Sequence, residues 1–535
     1  MAPKTTRDTD ILILGAGGAG LFAALHAHRA APELSITVAV KGLLGKCGCT
    51  RMVQGGYNVA LAKEDSVERH FMDTIDGGRW LPDQELAWKL VTLAVERVHE
   101  LENELGCFFD RNPDGTVHQK AFAGQTFDRT VHKGDLTGIE IINRLAEQVW
   151  ARRIERLEEH RAVELIRTPS GDAIAGVLFI DMRTGEYVVV RAKAVLLATG
   201  GGPTMYRYHT PSGDKTCDGL AMALRAGLAL RDMEMVQFHP TGLLAGAHTR
   251  MTGTVLEEGL RGAGGYLLNG GRARFMPAYD AKAERATRDV VSRAMFTEMR
   301  KGNTTPHGGL YISMAHLGAE RVRREFKGMV ERCADCGFDL AGGLVEVVPT
   351  AHYMMGGVEF APDCSTALAG LFVAGEDAGG VHGANRLGGN GVANSTPFAL
   401  PRGDLESVRE RLYDTMWEQV GILRDARGLA RAEADLGALD AELERTGLGT
   451  AERSFNLTWH DWLNLKSLLA VSRAITRAAA ARQESRGAHY REDFPITGPL
   501  EASAYTSIRG DGALTMKPVV FTRVRPGQTL LKHAA

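Results

Sequence analysis

The chain has 535 residues, too many for one hydrophobic core, and its 44% hydrophobic and 24% charged residues exclude disordered, fibrous and membrane-spanning classes. Lys and Arg total 63 against 65 Asp and Glu, so the net charge of -2 gives no overall basic field to hold nucleic acid or an anionic membrane surface. No apolar stretch approaches the roughly 20 residues of a spanning helix, the first ten residues hold no apolar secretion core, and 7 cysteines are an odd number that suits free thiols, so a cytoplasmic protein without direct membrane insertion is expected.

In chain order, residues 11–14 read as a strand, 21–30 as an Ala/Leu-rich helix and 36–40 as a second strand, which together make a βαβ unit. Gly15-Ala16-Gly17-Gly18-Ala19-Gly20 follows the first strand and opens the helix, where backbone N–H groups and the helix dipole can hold a pyrophosphate. The acidic residue expected about 20 positions later for a ribose is missing. Val40-Lys41 stands there, so Lys41 is expected to meet the ribose or a phosphate.

A β-rich region over 162–198 is punctuated by turns at Ser170-Gly171-Asp172 and Thr184-Gly185 and ends in Ala198-Thr199-Gly200. Residues 233–349 have mixed, interrupted patterning and read as a separate cap. Sheet-like sequence resumes at 370–375. Leu405, Val408, Leu412, Met416 and Val420, then Leu436, Leu439 and Leu443, then 465–475, recur at helical spacing, with the third helix expected to stop at Gly487. The tail, with Pro495, Pro499, Pro518 and Pro526, is expected to be extended and loop-like. The fold class is α/β. A Rossmann-type dinucleotide-binding domain covers 1–232 and 350–400, an inserted α+β capping domain 233–349, a C-terminal helical bundle 401–487 and an extended segment 488–535.

Cys333 and Cys336 form a lone CxxC without the further ligands a zinc site needs, so both read as ordinary thiols and no metal is expected. Cysteine runs for iron–sulfur clusters are also missing, so electrons must pass to or from another molecule.

Several segments together resemble the flavoprotein subunits of succinate dehydrogenase and fumarate reductase, with L-aspartate oxidase as a close relative. They are Gln54-Gly55-Gly56, Gly200-Gly201-Gly202, Thr216-Cys217-Asp218-Gly219, the run from Gln237 to Gly242, the run from Thr287 to Arg293, Thr350 to Gly357, Gly375-Glu376 and Gly383 to Asn390. The resemblance covers most of the chain. It implies FAD, held by Gly15 to Gly20, Lys41, Thr199, Gly200, Arg386 and Asn390, with Asp218 near the adenine half and Glu376 near the ribitol. The loop with Cys49, Thr50, Gln54, Gly55 and Gly56 would lie over the isoalloxazine ring.

The residues also make chemical sense by themselves. A short dicarboxylate needs a cation or donor at each end, because an unpaired carboxylate stripped of water is costly, and His239, His352 and Arg386 can supply that clamp. Reducing a C=C bond takes a hydride to one carbon and a proton to the other. The resemblance gives the proton to Arg288, resupplied through Glu258 and Arg261, and packs Phe122 on the substrate. An arginine, normally fixed as a cation, can act as an acid only with such a relay.

Two departures carry consequences. Members that bind FAD covalently have a histidine where Cys49 stands, so the histidyl link cannot form and FAD is expected to be noncovalent, which tilts the chain toward fumarate reduction or oxidase chemistry. A thioether from Cys49 is the other use of that position, and Cys47 with Cys49 is either a redox pair or small packing residues. Glu257 stands where the family has Thr or Ser, and would repel a substrate carboxylate. Either it points away or the substrate carries a donor there, as the amine of aspartate would. After Asn390, Pro397 and Pro401 break the helix found in the family.

The leading expectation is therefore an FAD-dependent oxidoreductase interconverting fumarate-like and succinate-like dicarboxylates, coupled to an iron–sulfur subunit that can also bring it to a membrane. The alternatives are an L-aspartate-oxidase-like enzyme, a related flavoprotein acting on a different small carboxylate, and a catalytically silent flavin-binding subunit.

Overall fold

The computed structural model describes residues 5–122, 124–246, 249, 251–385, 404–448 and 452–531. Thr5–Leu14 is the spine of a seven-stranded sheet, parallel to Ile36–Ala39 on one side and to Glu186–Leu197 on the other. The strand begins six residues before the apolar run at Ile11. Its first residues, Thr5 to Asp8, are exposed yet pair with Val188 to Arg191, so hydrophobic pattern reveals only the buried half. Glu155–Leu157 extends the sheet beyond Ile36–Ala39.

Glu186–Leu197 is long enough for two partners on its second edge. Its first half pairs antiparallel with Ile174–Asp181, which pairs in turn with His160–Arg167, and its last three residues run parallel to Leu371–Val373. Ala198 N donates to Leu14 O, Ala374 N to Leu197 O and Gly15 N to Ala39 O, so the carboxyl ends of the central strands finish level. The loops that follow gather at one crevice, the position where open α/β sheets bind ligands.

The cap is built on an antiparallel sheet of Val236–Leu243, Val345–Met354, Leu310–Ser313 and Tyr266–Leu268. Two of these strands join it to the main body. Leu243, Val345 and Val347 lie in the cap core, whereas Val236, Ala351 and Met354 lie in the main core. The boundary expected at 349/350 thus falls inside a continuous strand. Among the described residues, no helix is long and apolar enough to cross a membrane.

Helices Leu405–Gln419, Ala426–Arg445 and Leu457–Ala481 form the helical bundle, and the side chains of Asp404, Asp425 and Asn456 cap their first turns. The third helix ends at Ala481, before Gly487. Arg482 leaves the helix to reach buried Glu234, Nε to Oε1 at 2.5 Å, and a charge taken from water in this way requires its partner. The tail is not simply extended. Ala504–Ile508 and Leu514–Pro518 form a hairpin that joins Leu230–Arg231 and Gly357–Val358 in a four-stranded sheet. Proline does not prevent this, because Pro518 sits at the last position of its strand.

Candidate active site

A cleft opens at the carboxyl ends of the central strands, where open α/β sheets bind ligands. Gly15 to Ala19, Lys41, Cys49, Thr50, Thr199, Gly200 and Asp218 line it. Gly15 has φ +109°, and a Cβ there would lie 2.2 Å from Ala198 O. Gly20 is outside the lining and serves packing, since its missing Cβ lets helix Gly18–Ala30 start against Gly15 O. That helix begins without an acidic residue or a side-chain cap in its first turn, so its positive end faces the cleft, with Gly18 N donating to Thr50 Oγ1 at 3.0 Å.

At the far end, Asp218 accepts from Arg161 Nη2 at 2.7 Å and from Lys41 Nζ at 2.9 Å, while Lys41 also donates to Thr216 Oγ1. Burial pushes the Asp218 carboxyl up, but the two cations outweigh it and hold it below the usual carboxylate range. Arg161 and Thr216 are tied in turn to Asn464 on the third bundle helix. Neither Arg161 nor Asn464 lies in a motif, and no local pattern marks them.

At the other end, burial pushes the Cys49 thiol up to about 12, and the nearby Glu376 charge adds to the shift. Lys215 Nζ donates to Thr199 O, and buried Asp377 accepts from Thr199 N at 2.6 Å, so Thr199 is held from both sides. Burial raises the Asp377 carboxyl to about 7. Glu376 Oε1 accepts from Met354 N at 2.9 Å. Gln54, Gly55, Gly56 and Glu376 do not line the cleft itself. Gly55 instead receives the Phe122 ring, whose Cζ would lie 2.6 Å from a Cβ there, and Gly56 (φ +150°) lies tight against Val131 O.

The second group of predicted residues meets where the main body joins the cap. Arg288 opens helix Arg288–Arg300. Its Nε and Nη2 both reach Glu258 Oε2, at 3.0 and 2.6 Å, and its Nη1 donates to Gln237 Oε1 at 2.9 Å. The other oxygen of Glu258 accepts from Arg261 Nη2 at 2.8 Å, and Arg261 Nη1 is bound to Glu284 O. Burial alone would raise Glu258, but the two guanidiniums hold it below its ordinary range.

His239 lies on Val236–Leu243, where pairing with Val345–Met354 shifts register on both sides of it and re-aims the chain. The ring is fully buried, and burial together with Arg288 and Arg261 keeps it well below 6.5, so it is a neutral imidazole. Its Nδ1 accepts from Thr241 N at 3.3 Å, which leaves the proton on Nε2. His352 on the adjacent strand is 5.4 Å away between ring centroids, and its Nδ1 is 2.7 Å from Thr210 Oγ1.

Glu257 is buried, and its Oε1 accepts from Lys120 Nζ at 2.5 Å. Burial raises its pKa and Lys120 pulls it back in part. Lys120 stands two residues before Phe122, yet nothing local pairs it with position 257. Arg386, Asn390, Pro397 and Pro401 lie outside the described residues. Cys333 and Cys336 carry free thiols, with Cys333 buried in the cap.

The sequence model of the FAD binding domain matches residues 10–392, and that of the fumarate reductase flavoprotein C-terminal region matches 409–530. A fumarate reductase (CoM/CoB) polypeptide of Methanothermobacter marburgensis is 38% identical, over 92% of this chain and 95% of its own. The chain belongs to the fumarate reductase/succinate dehydrogenase flavoprotein family. The Escherichia coli fumarate reductase flavoprotein subunit is 34% identical, over 92% of this chain and 90% of its own. Among solved structures, E. coli quinol fumarate reductase FrdA superimposes with a TM-score of 0.91 at 31% identity, covering 98% of this chain and 99% of that one. Mycobacterium smegmatis Sdh1 gives 0.85 at 32%, covering 97% and 96%.

This flavoprotein is an FAD-dependent oxidoreductase of the class that acts on CH–CH bonds. The cleft fits FAD chemically. It has a glycine cradle that side chains would fill, a helix start with no acidic residue in its first turn, and cations at Lys41 and Lys215.

Proposed function

We propose that the chain reduces a fumarate-like dicarboxylate to its succinate-like product, with Arg288 delivering the proton. The observation that carries this reading is Arg288 gripped by Gln237 and Glu258, with Arg261 on the far oxygen of Glu258. FAD, when bound between Gly15–Gly20, Lys41, Thr199–Gly200 and Asp218, supplies hydride exchange at its N5.

The chain's own residues do the rest. His239 offers a neutral Nε2–H donor, His352 stands beside it, and Arg386 supplies the charge for a substrate carboxylate. Phe122, seated on Gly55, provides an apolar wall. Arg288 gives a proton to the substrate carbon, and the ionised Glu258 relays one back to it from Arg261, which shares the carboxylate. A protonated Cys49 is a poor nucleophile, which supports noncovalent FAD. Because Lys120 neutralises Glu257, an amine on the substrate is not needed to satisfy that carboxylate, and aspartate oxidation loses its main support. An iron–sulfur subunit is the proposed electron source, and through it the chain can sit at a membrane.

The test is anaerobic. Chemically reduced holoenzyme should be reoxidised stoichiometrically by fumarate and not by iminoaspartate, and Arg288→Ala should keep its flavin while losing that reaction. Fumarate-dependent reoxidation at the wild-type rate in Arg288→Ala would remove the proton-donor role.

A further inference from the structure

The pair Lys120–Glu257 lies 137 residues apart in the chain and closes across the junction between main body and cap, Nζ to Oε1 at 2.5 Å. Both side chains are largely removed from water, at 21% and 8% exposure, so neither charge is screened as a surface pair would be. The pair adjoins the site. Lys120 Nζ is 5.9 Å from the centroid of the Phe122 ring, which packs on Gly55, and Glu257 precedes Glu258, the carboxylate that holds Arg288.

Charge decides what this arrangement does. His239 is neutral, so it contributes one donor and no charge. Arg288 and Arg261 share Glu258, and without Lys120 the further carboxylate of Glu257 would bring these four groups to zero net charge. Lys120 returns these groups to a net positive charge, alongside the charge proposed for Arg386, in a buried region that must receive a dianion. Asp135, partly exposed, adds to the negative field at Glu257 and strengthens the need for that ammonium.

We infer that Lys120 is a substrate-positioning residue of this flavoprotein, which cancels the buried charge of Glu257 and so makes the site able to accept a dicarboxylate. This rests on the fumarate-reducing reading. The two residues are a compensated pair, in which the acid at 257 is tolerated only because of the base at 120. Charge at position 120 should govern dicarboxylate affinity and leave the chemical step largely untouched.

The experiment is a double-mutant cycle on oxidised, flavin-loaded protein, titrating fumarate and following the flavin absorbance, with KM and kcat measured in parallel. Lys120→Gln leaves Glu257 buried and unpaired, and the fumarate Kd should rise about 100-fold, with KM following and kcat changing less than about threefold. Lys120→Arg should stay within about fivefold of wild type. Glu257→Gln should bind fumarate as tightly as wild type or more tightly, and Lys120→Gln/Glu257→Gln should recover to within about tenfold.

A Lys120→Gln protein that binds fumarate within threefold of wild type overturns the inference. So does a Glu257→Gln protein that binds tenfold more weakly. If Lys120→Gln does not fold, Glu257→Gln and the double variant still decide, since loss of affinity in both is the overturning result. Wild-type protein that binds no fumarate refutes the underlying reading, whereas normal wild-type binding with a flat cycle refutes only the role of Lys120.

Discussion

Glu258 divides its carboxylate between two guanidiniums, with Oε2 on Arg288 Nη2 at 2.6 Å and Oε1 on Arg261 Nη2 at 2.8 Å. Both oxygens are used and all three groups are withdrawn from solvent, so the proton proposed to leave Arg288 has a fixed path for its replacement. Arg288→Lys retains the charge but loses the fork that spans Glu258 and Gln237. Steady-state fumarate reduction should fall about 10²- to 10⁴-fold, the range of a lost general acid, with flavin content unchanged.

Glu258→Gln leaves Arg261 and Arg288 buried without their shared anion. Breaking a buried pair from one side costs about 3–5 kcal/mol, so a lower unfolding midpoint should accompany slow turnover. Denaturant titration followed by a cap probe such as Tyr279 or Tyr311 checks this. A variant as stable as wild type would mean that the guanidiniums find other partners.

Cys49 predicts a chemical silence. With its thiol raised to about 12, the thiolate population at pH 8 is very small, so native protein should react with iodoacetamide at Cys49 far more slowly than a free cysteine does. FAD should leave the protein on acid precipitation, and Cys49→Ala should bind a full complement of FAD. Flavin that stays with the precipitated chain of wild type but not of Cys49→Ala would show a thioether link instead.

Asp377 ties stability to pH. Its carboxyl is raised from an ordinary 3.8 to about 7, so the folded chain keeps a proton that the unfolded chain releases. The favourable contribution is complete below about 3.8 and is lost as pH rises toward about 7, a difference on the order of 4 kcal/mol. Asp377→Asn cannot ionise. Its stability relative to wild type should therefore grow between pH 4 and 7, read from paired urea titrations, and a constant difference over that range would contradict the assignment.

Much of this protein was legible before folding. The glycine run after residue 14 announces its role because tight turn, phosphate approach and helix start are all local demands, met within six residues. The alternation and helical spacing of the apolar residues likewise locate the main strands and all three bundle helices. Pattern failed at the start of Thr5–Leu14, which is exposed and polar, and at the hairpin Ala504–Ile508/Leu514–Pro518, where the buried residues Thr506 and Ser507 are polar and carry no apolar signal.

The charges show the division most plainly. Sequence, with the family resemblance it carries, specified that an acid stands at Glu257 where the resemblance implies a hydroxyl, and that Asp218, Arg288 and Glu258 fall in the resembling motifs. Only the tertiary structure decided that Glu257 meets Lys120 from 137 residues away and that Asp218 meets Arg161 from 57. Ion pairing falls steeply with distance and with access to water, and both are set by how sheet, cap and bundle close on one another rather than by neighbours in the chain.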